Sequence, residues 1–131
     1  MIKKDKSTSA VFLTFSGNCK QALQFYHSCF GGSLRFETFD DKLPGNVEAP
    51  VITGSLISEK VVIHGSDLVH DEGRKLGNYM AIFLSCKDGE ERKTLAKKLN
   101  AEMDNLVIVS NDDQKLIEIT DAFGVRWVLS T

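Results

Sequence analysis

Hydrophobic and polar positions along the chain change period in a regular order. Residues 10–16, A-V-F-L-T-F-S, have the β-branched and aromatic content of a strand. Gly17-Asn18 ends it, and Asn18 is a suitable N-cap for the segment that follows. Within Cys19–Phe30, Ala22, Leu23, Tyr26, Cys29 and Phe30 recur at spacings of three and four, which predicts a helix with one apolar face. Gly31-Gly32 stops that helix, because glycine accepts the left-handed conformation common just past a helix end. Residues 33–39 alternate Leu34, Phe36 and Thr38 with Arg35, Glu37 and Phe39, the period of a strand. A loop over 40–50 carries Pro44-Gly45-Asn46 and Pro50. Strands are then expected over Val51–Ile57 and 60–64, joined by Ser58-Glu59. Residues 65–77 are polar and read as a connection.

The order then restarts. Residues 78–86 form an apolar strand containing Tyr79, Met80, Ile82, Phe83 and Leu84. Asp88 is placed to cap a second helix, with Glu91 three residues on completing a capping-box pattern. Leu95, Ala96 and Leu99 line its inner face. Residues 103–110, 115–120 and 125–130 supply three more strands, with turns at Asn111-Asp112-Asp113 and Phe123-Gly124. The fold class is therefore α+β, with two tandem βαβββ modules forming a curved, cup-shaped mixed sheet that carries its helices on the outer face. One domain over 1–131 is expected: a flexible start (1–9), a first module (10–65), a connection (66–77) and a second module (78–131). The repeat sets Asn18 against Asp88, and Val61-Val62-Ile63 loosely against Arg126-Trp127-Val128. A ferredoxin-like βαββαβ arrangement would leave strands over.

Composition narrows the function. The 131 residues are 42% hydrophobic, enough for a core without disulfides or a structural metal. Net charge is −2. Lys3, Lys4 and Lys6 make a short basic start broken by Asp5, with no basic face to follow, so nucleic acid is not an expected partner. No apolar run approaches a membrane span, and the first nine residues lack the apolar segment of a secretory signal. Three cysteines without a C-x-x-C pair fit reduced thiols and a cytoplasmic location. Cys29 and Cys86 are expected to pack as small hydrophobes, and Cys19 stands at a helix start.

Two stretches resemble a known family. F-L-T-F-S-G-N-C-K-Q-A-L-Q-F-Y-H-S-C-F-G-G-S-L, residues 12–34, is similar to the opening of the PhnB-like branch of the vicinal-oxygen-chelate superfamily, and T-D-A-F-G-V-R-W-V-L, residues 120–129, resembles its D-x-F-G-V-x-W ending. K-V-V-I-H-G-S-D, residues 60–67, is a weaker third match. The superfamily includes glyoxalase I, extradiol dioxygenases and bleomycin-resistance proteins. The resemblance implies a homodimer and, in the enzymes, a divalent metal held by His and Glu on strands of both modules. The positions that would carry those ligands fall near Val11, at Ile63 or His64, within 79–82 and at Val128. Only His64 among them offers an imidazole and none offers a carboxylate, so no metal and no other cofactor is expected. The F-W-G segment of many relatives is absent, and no glycine-rich turn after a strand suits the adenosyl cofactor of a methyltransferase.

The sequence therefore points to a small-molecule ligand held in the sheet. His64 and Glu118 are the candidate acid–base residues, and Phe15, His64, Glu118, Arg126 and Val128 the candidate ligand contacts. His64 follows three apolar residues and reads first as a strand-end histidine bonded to a loop, with the cavity-facing acid, base or ligand as the other reading. Glu118 sits between Ile117 and Ile119, facing either a cavity or solvent. Arg126 offers a fork for an anion or a surface ion pair. Trp127 reads as core, and His27 as exposed. Asp67, His70, Asp71 and Glu72 read as a solvated acidic loop. Enzymatic activity of the glyoxalase or dioxygenase type, and an interaction module with a filled cavity, are the alternatives.

Overall fold

The computed structural model describes residues 9–38, 50–67, 79–100 and 116–131. The chain divides into two compact units, Met1–Lys75 and Leu76–Thr131. The first contains β1 (Val11–Phe15), α1 (Cys19–Phe30), β2 (Ser33–Thr38), β3 (Val51–Ile57) and β4 (Val62–Asp67). The second contains β5 (Ile82–Ser85), α2 (Gly89–Leu99), β6 (Leu116–Thr120) and β7 (Arg126–Ser130). The strand expected over 103–110 lies outside the described residues, as do His70, Asp71, Glu72 and the lysines near the start.

Each unit builds a mixed sheet on the same plan. In the first, the strand order is β1-β4-β3-β2, with β1 parallel to β4 and the other pairs antiparallel. In the second it is β5-β7-β6, with β5 parallel to β7 and β6 antiparallel to it. α1 packs on β2, β3 and β4 through Cys19, Ala22, Leu23, Tyr26 and Cys29, all buried. That face is the one the three-and-four spacing predicts. α2 packs on β7, burying Leu95, Ala96 and Leu99 together with Arg92. Gly32, at φ +94°, ends α1 where a Cβ would run into the carbonyl oxygen of Ile57. His27, half-buried rather than exposed, donates from Nε2 to the Gly32 carbonyl at 3.1 Å.

Asp88 caps α2 as its sequence suggests. Its Oδ1 accepts the Glu91 N–H at 2.9 Å, and Glu91 Oε1 accepts the N–H of Lys87 at 2.9 Å. The cap of α1 is different. Asn18 makes no side-chain cap bond. The acceptor comes from 48 residues away: Asp67 Oδ1 takes the N–H groups of Gly17 and Cys19, both at 2.9 Å. Its other oxygen takes the N–H of Val51 at 2.9 Å. Asp67 is buried, which corrects the solvated-loop reading. β4 therefore runs on through Gly65, Ser66 and Asp67, which pair with Leu13, Thr14 and Phe15 of β1 and belong to the first unit rather than to a connection. An ionised carboxylate can sit there because three backbone donors replace its lost hydration, and it meets the positive end of the helix dipole.

Asp121 has the matching task in the second unit. Oδ1 accepts the N–H groups of Phe123 and Val125 at 2.8 and 3.1 Å, and Oδ2 accepts the indole N–H of Trp127 at 2.8 Å. Gly124, at φ +83°, completes the turn. D-x-F-G-V-x-W is thus a folding device: the Asp closes the β6–β7 turn and satisfies a fully buried Trp. Ser58 closes the equivalent β3–β4 turn, its hydroxyl bonding the carbonyl and N–H of Val61.

Asp67→Ala should lower stability by about 3 kcal/mol and Asp67→Asn by about 2 kcal/mol in urea unfolding, since buried donors lose a charged acceptor. Asn18→Ala should change it by less than about 0.5 kcal/mol. The reverse order would show that α1 is capped locally.

Candidate functional site

Each sheet has one face covered by its helix, so strand parity decides which side chains remain for a ligand. In β4, Ile63, Gly65 and Asp67 are buried while Val62, His64 and Ser66 are half-buried. Gly65 faces α1, since a Cβ there would meet Cys19 Sγ at 3.2 Å. His64 therefore lies on the helix-free face. Its cross-strand partners are Phe12 on β1 and Ser55 on β3, and Ser55 is opposite Arg35 on β2. One row across four strands thus reads Phe12, His64, Ser55, Arg35. His64 Nδ1 and Ser55 Oγ are 2.8 Å apart, a hydrogen bond whose donor depends on the imidazole tautomer. Phe12 is 60% exposed, an aromatic ring presented on that face instead of packed under the helix.

The second sheet repeats the row. Phe83 on β5 is opposite Val128 on β7, which is opposite Glu118 on β6. Phe83 is also 60% exposed, whereas Leu84, Ile117, Trp127 and Leu129 are buried on the other side. By this register Val62-Ile63-His64 corresponds to Arg126-Trp127-Val128, one residue on from the correspondence drawn from the sequence. Glu118 and Arg126 are joined: Arg126 Nε and an η-nitrogen donate to Glu118 Oε1 at 3.0 and 2.6 Å. Another η-nitrogen donates to the Met80 carbonyl at 3.3 Å. An ion pair this exposed contributes at most about 1 kcal/mol to stability. Its consequence is chemical: the carboxylate and the fork satisfy each other on the helix-free face.

The expected site residues therefore separate. His64, Glu118, Arg126 and Val128 lie on helix-free faces of their sheets. Phe15 does not. It is fully buried, at the position where a Cβ on Gly65 would approach its ring to 3.3 Å, and serves the core of the first unit. Trp127 is core, as its alternation suggests. Tyr79 and Met80 are exposed and precede β5, which begins at Ile82. Phe12, Ser55, Arg35 and Phe83 were not singled out by sequence reasoning, although parity from a known inward residue would have placed all four.

The positions that chelate metal in the resembled superfamily can now be tested on chemistry. The helix-free residues of β1, β4, β5 and β7 along these rows are Phe12, His64, Phe83 and Val128. Of these four side chains His64 alone carries a metal donor, the other three being hydrocarbon. Among the described residues no three His, Cys, Asp or Glu side chains come together as a metal-binding group.

Solved structures place this architecture. Protein PA1353 from Pseudomonas aeruginosa matches with a TM-score of 0.74 at 21% identity, covering 95% of this chain and 97% of that one. The two share a fold. A Bacillus cereus PhnB protein, named for 3-demethylubiquinone-9 3-methyltransferase, matches with a TM-score of 0.73 at 24% identity over 95% and 98% of the two chains. A glyoxylase/bleomycin resistance protein/dioxygenase domain from Frankia matches with a TM-score of 0.57 at 15% identity over 96% and 93%. No protein-family model and no curated protein matches the sequence. Among the described residues, no helix is long and apolar enough to cross a membrane.

All three cysteines are free and buried. Burial first, and the neighbouring Asp67 carboxylate second, push the Cys19 thiol up to about 12. This is the opposite of what a helix start does to an exposed thiol. Cys19 in the folded protein should not react with a disulfide reagent at pH 8, and should react once urea unfolds it; rapid labelling of the native thiol would contradict the packing. Between pH 9 and 12 the folded state keeps a proton that the unfolded thiol loses, so stability should fall as pH rises through that window. The fall should be shallower in Cys19→Ala.

Proposed function

We propose that this chain is a PhnB-like protein that binds a small organic molecule on a helix-free sheet face without a chelated divalent metal. The observation that carries the reading is the pair of rows Phe12–His64–Ser55–Arg35 and Phe83–Val128–Glu118. Each begins with an exposed aromatic ring and continues into a few polar groups, the mixture that holds small ligands. Hydrocarbon at three of the four superfamily ligand positions supports binding without metal. Free cysteines support a reducing, cytoplasmic setting, and resemblance to the superfamily supports a homodimer.

A second reading, a metal-free enzyme, is favoured by one contact. The Ser55–His64 bond fixes the imidazole on the ligand face, where it can exchange a proton with a bound molecule. Glu118 is less suited to act as a base while it is paired with Arg126. Turnover lost in His64→Ala would select this reading over passive binding. The methyltransferase name of the Bacillus cereus protein is not carried over, since the sequence has no adenosyl-binding turn.

Metal analysis of the purified protein should find well under one equivalent of Zn, Ni, Mn or Fe, and divalent ions should leave the melting temperature unchanged within about 1 °C. Stoichiometric metal, or a rise of several degrees with one ion, would contradict the proposal.

A further inference from the structure

The two sheets handle positive charge differently. In the second unit the arginine of the helix-free face, Arg126, is neutralised by Glu118 at 2.6 Å. In the first unit the position equivalent to Glu118 is Ser55, and a hydroxyl takes the place of the carboxylate. Arg35, directly opposite Ser55, is exposed and has no hydrogen-bond or ion-pair partner among the described residues. The nearest acidic group on its own strand is Glu37, two residues on along the same face and opposite Thr53. Among the described residues no acidic side chain lies in the row of His64, whose neighbours there are Phe12 and Ser55.

We infer that the row His64–Ser55–Arg35 is an oxyanion subsite, so that the bound molecule carries a carboxylate or phosphonate-type group beside an apolar body lying on Phe12. The inference rests on the small-molecule reading proposed above and names the class of ligand. Adjacent strands lie about 4.8 Å apart, which puts His64 and Arg35 about 10 Å apart at the backbone with Ser55 between them. An oxyanion seated over Ser55 is within reach of both longer side chains. Arg35 brings a planar fork suited to two oxygens. Ser55 occupies His64 Nδ1, leaving Nε2 as the ring nitrogen for the ligand. Phe12 follows at the next strand, so the row runs from aromatic to cationic. The second sheet lacks that gradient, because its arginine is already occupied.

The test compares matched aromatic probes by titration calorimetry: benzoate and phenylphosphonate against benzamide and benzyl alcohol. At least one anionic probe should bind tenfold or more tightly than the neutral pair. Whichever of the two binds better identifies the oxyanion. Arg35→Gln should abolish the preference, His64→Gln should reduce anion affinity at least threefold, and Lys20→Gln on α1 should change neither. Circular dichroism confirms that each variant is folded. Equal binding of charged and neutral probes, or a preference that survives Arg35→Gln, would overturn the oxyanion subsite and leave small-molecule binding standing. Failure of all four probes to bind would overturn both.

Discussion

The carboxylate of Asp67 ties three parts of the first unit to one point. It receives N–H groups from the turn before α1, from the first residue of α1 and from the start of β3, while its own backbone closes the pairing of β4 with β1. A buried carboxylate of this kind is costly unless its oxygens are hydrogen-bonded, and here both are. Because side chains alternate along a strand, fixing Asp67 on the helix side fixes Gly65 and Ile63 there too. His64 is thereby sent to the opposite face. The candidate site is a consequence of a structural residue three positions away.

The second unit reaches the same end by another route. Asp121 closes a hairpin turn and pins the Trp127 indole, which sets the parity of β7 and leaves Val128 on the helix-free face. Both units therefore spend a buried aspartate on register, and neither aspartate is available to a ligand. The exposed rows then differ in chemistry. One offers an imidazole, a hydroxyl and a guanidinium unpaired among the described residues; the other offers hydrocarbon and an internally satisfied ion pair.

Much of this was legible in the residues, and the failures have physical causes. α1 was readable to its ends because its apolar spacing is clean and Gly31-Gly32 follows it. Asp88 was readable because its cap is local. Asp67 was not, since its partners lie 16 to 50 residues away and a polar G-S-D tail looks like loop. The face of His64 was undetermined because Val61, Val62 and Ile63 are all apolar and show no alternation. Phe15 and Phe12 were not separable for a similar reason: in V-F-L-T-F the helix-covered and helix-free faces of β1 both carry phenylalanine. Composition cannot separate Phe12 from Phe15; pairing with β4 does.

The register of β4 is thus the claim on which the helix-free row depends, and nuclear Overhauser contacts in solution read it directly. The account predicts cross-peaks linking the His64 imidazole to the Phe12 ring and the Ser55 β-protons, with Ile63 methyls in contact with α1 side chains. Ile63 beside Phe12, with His64 under the helix, would contradict it.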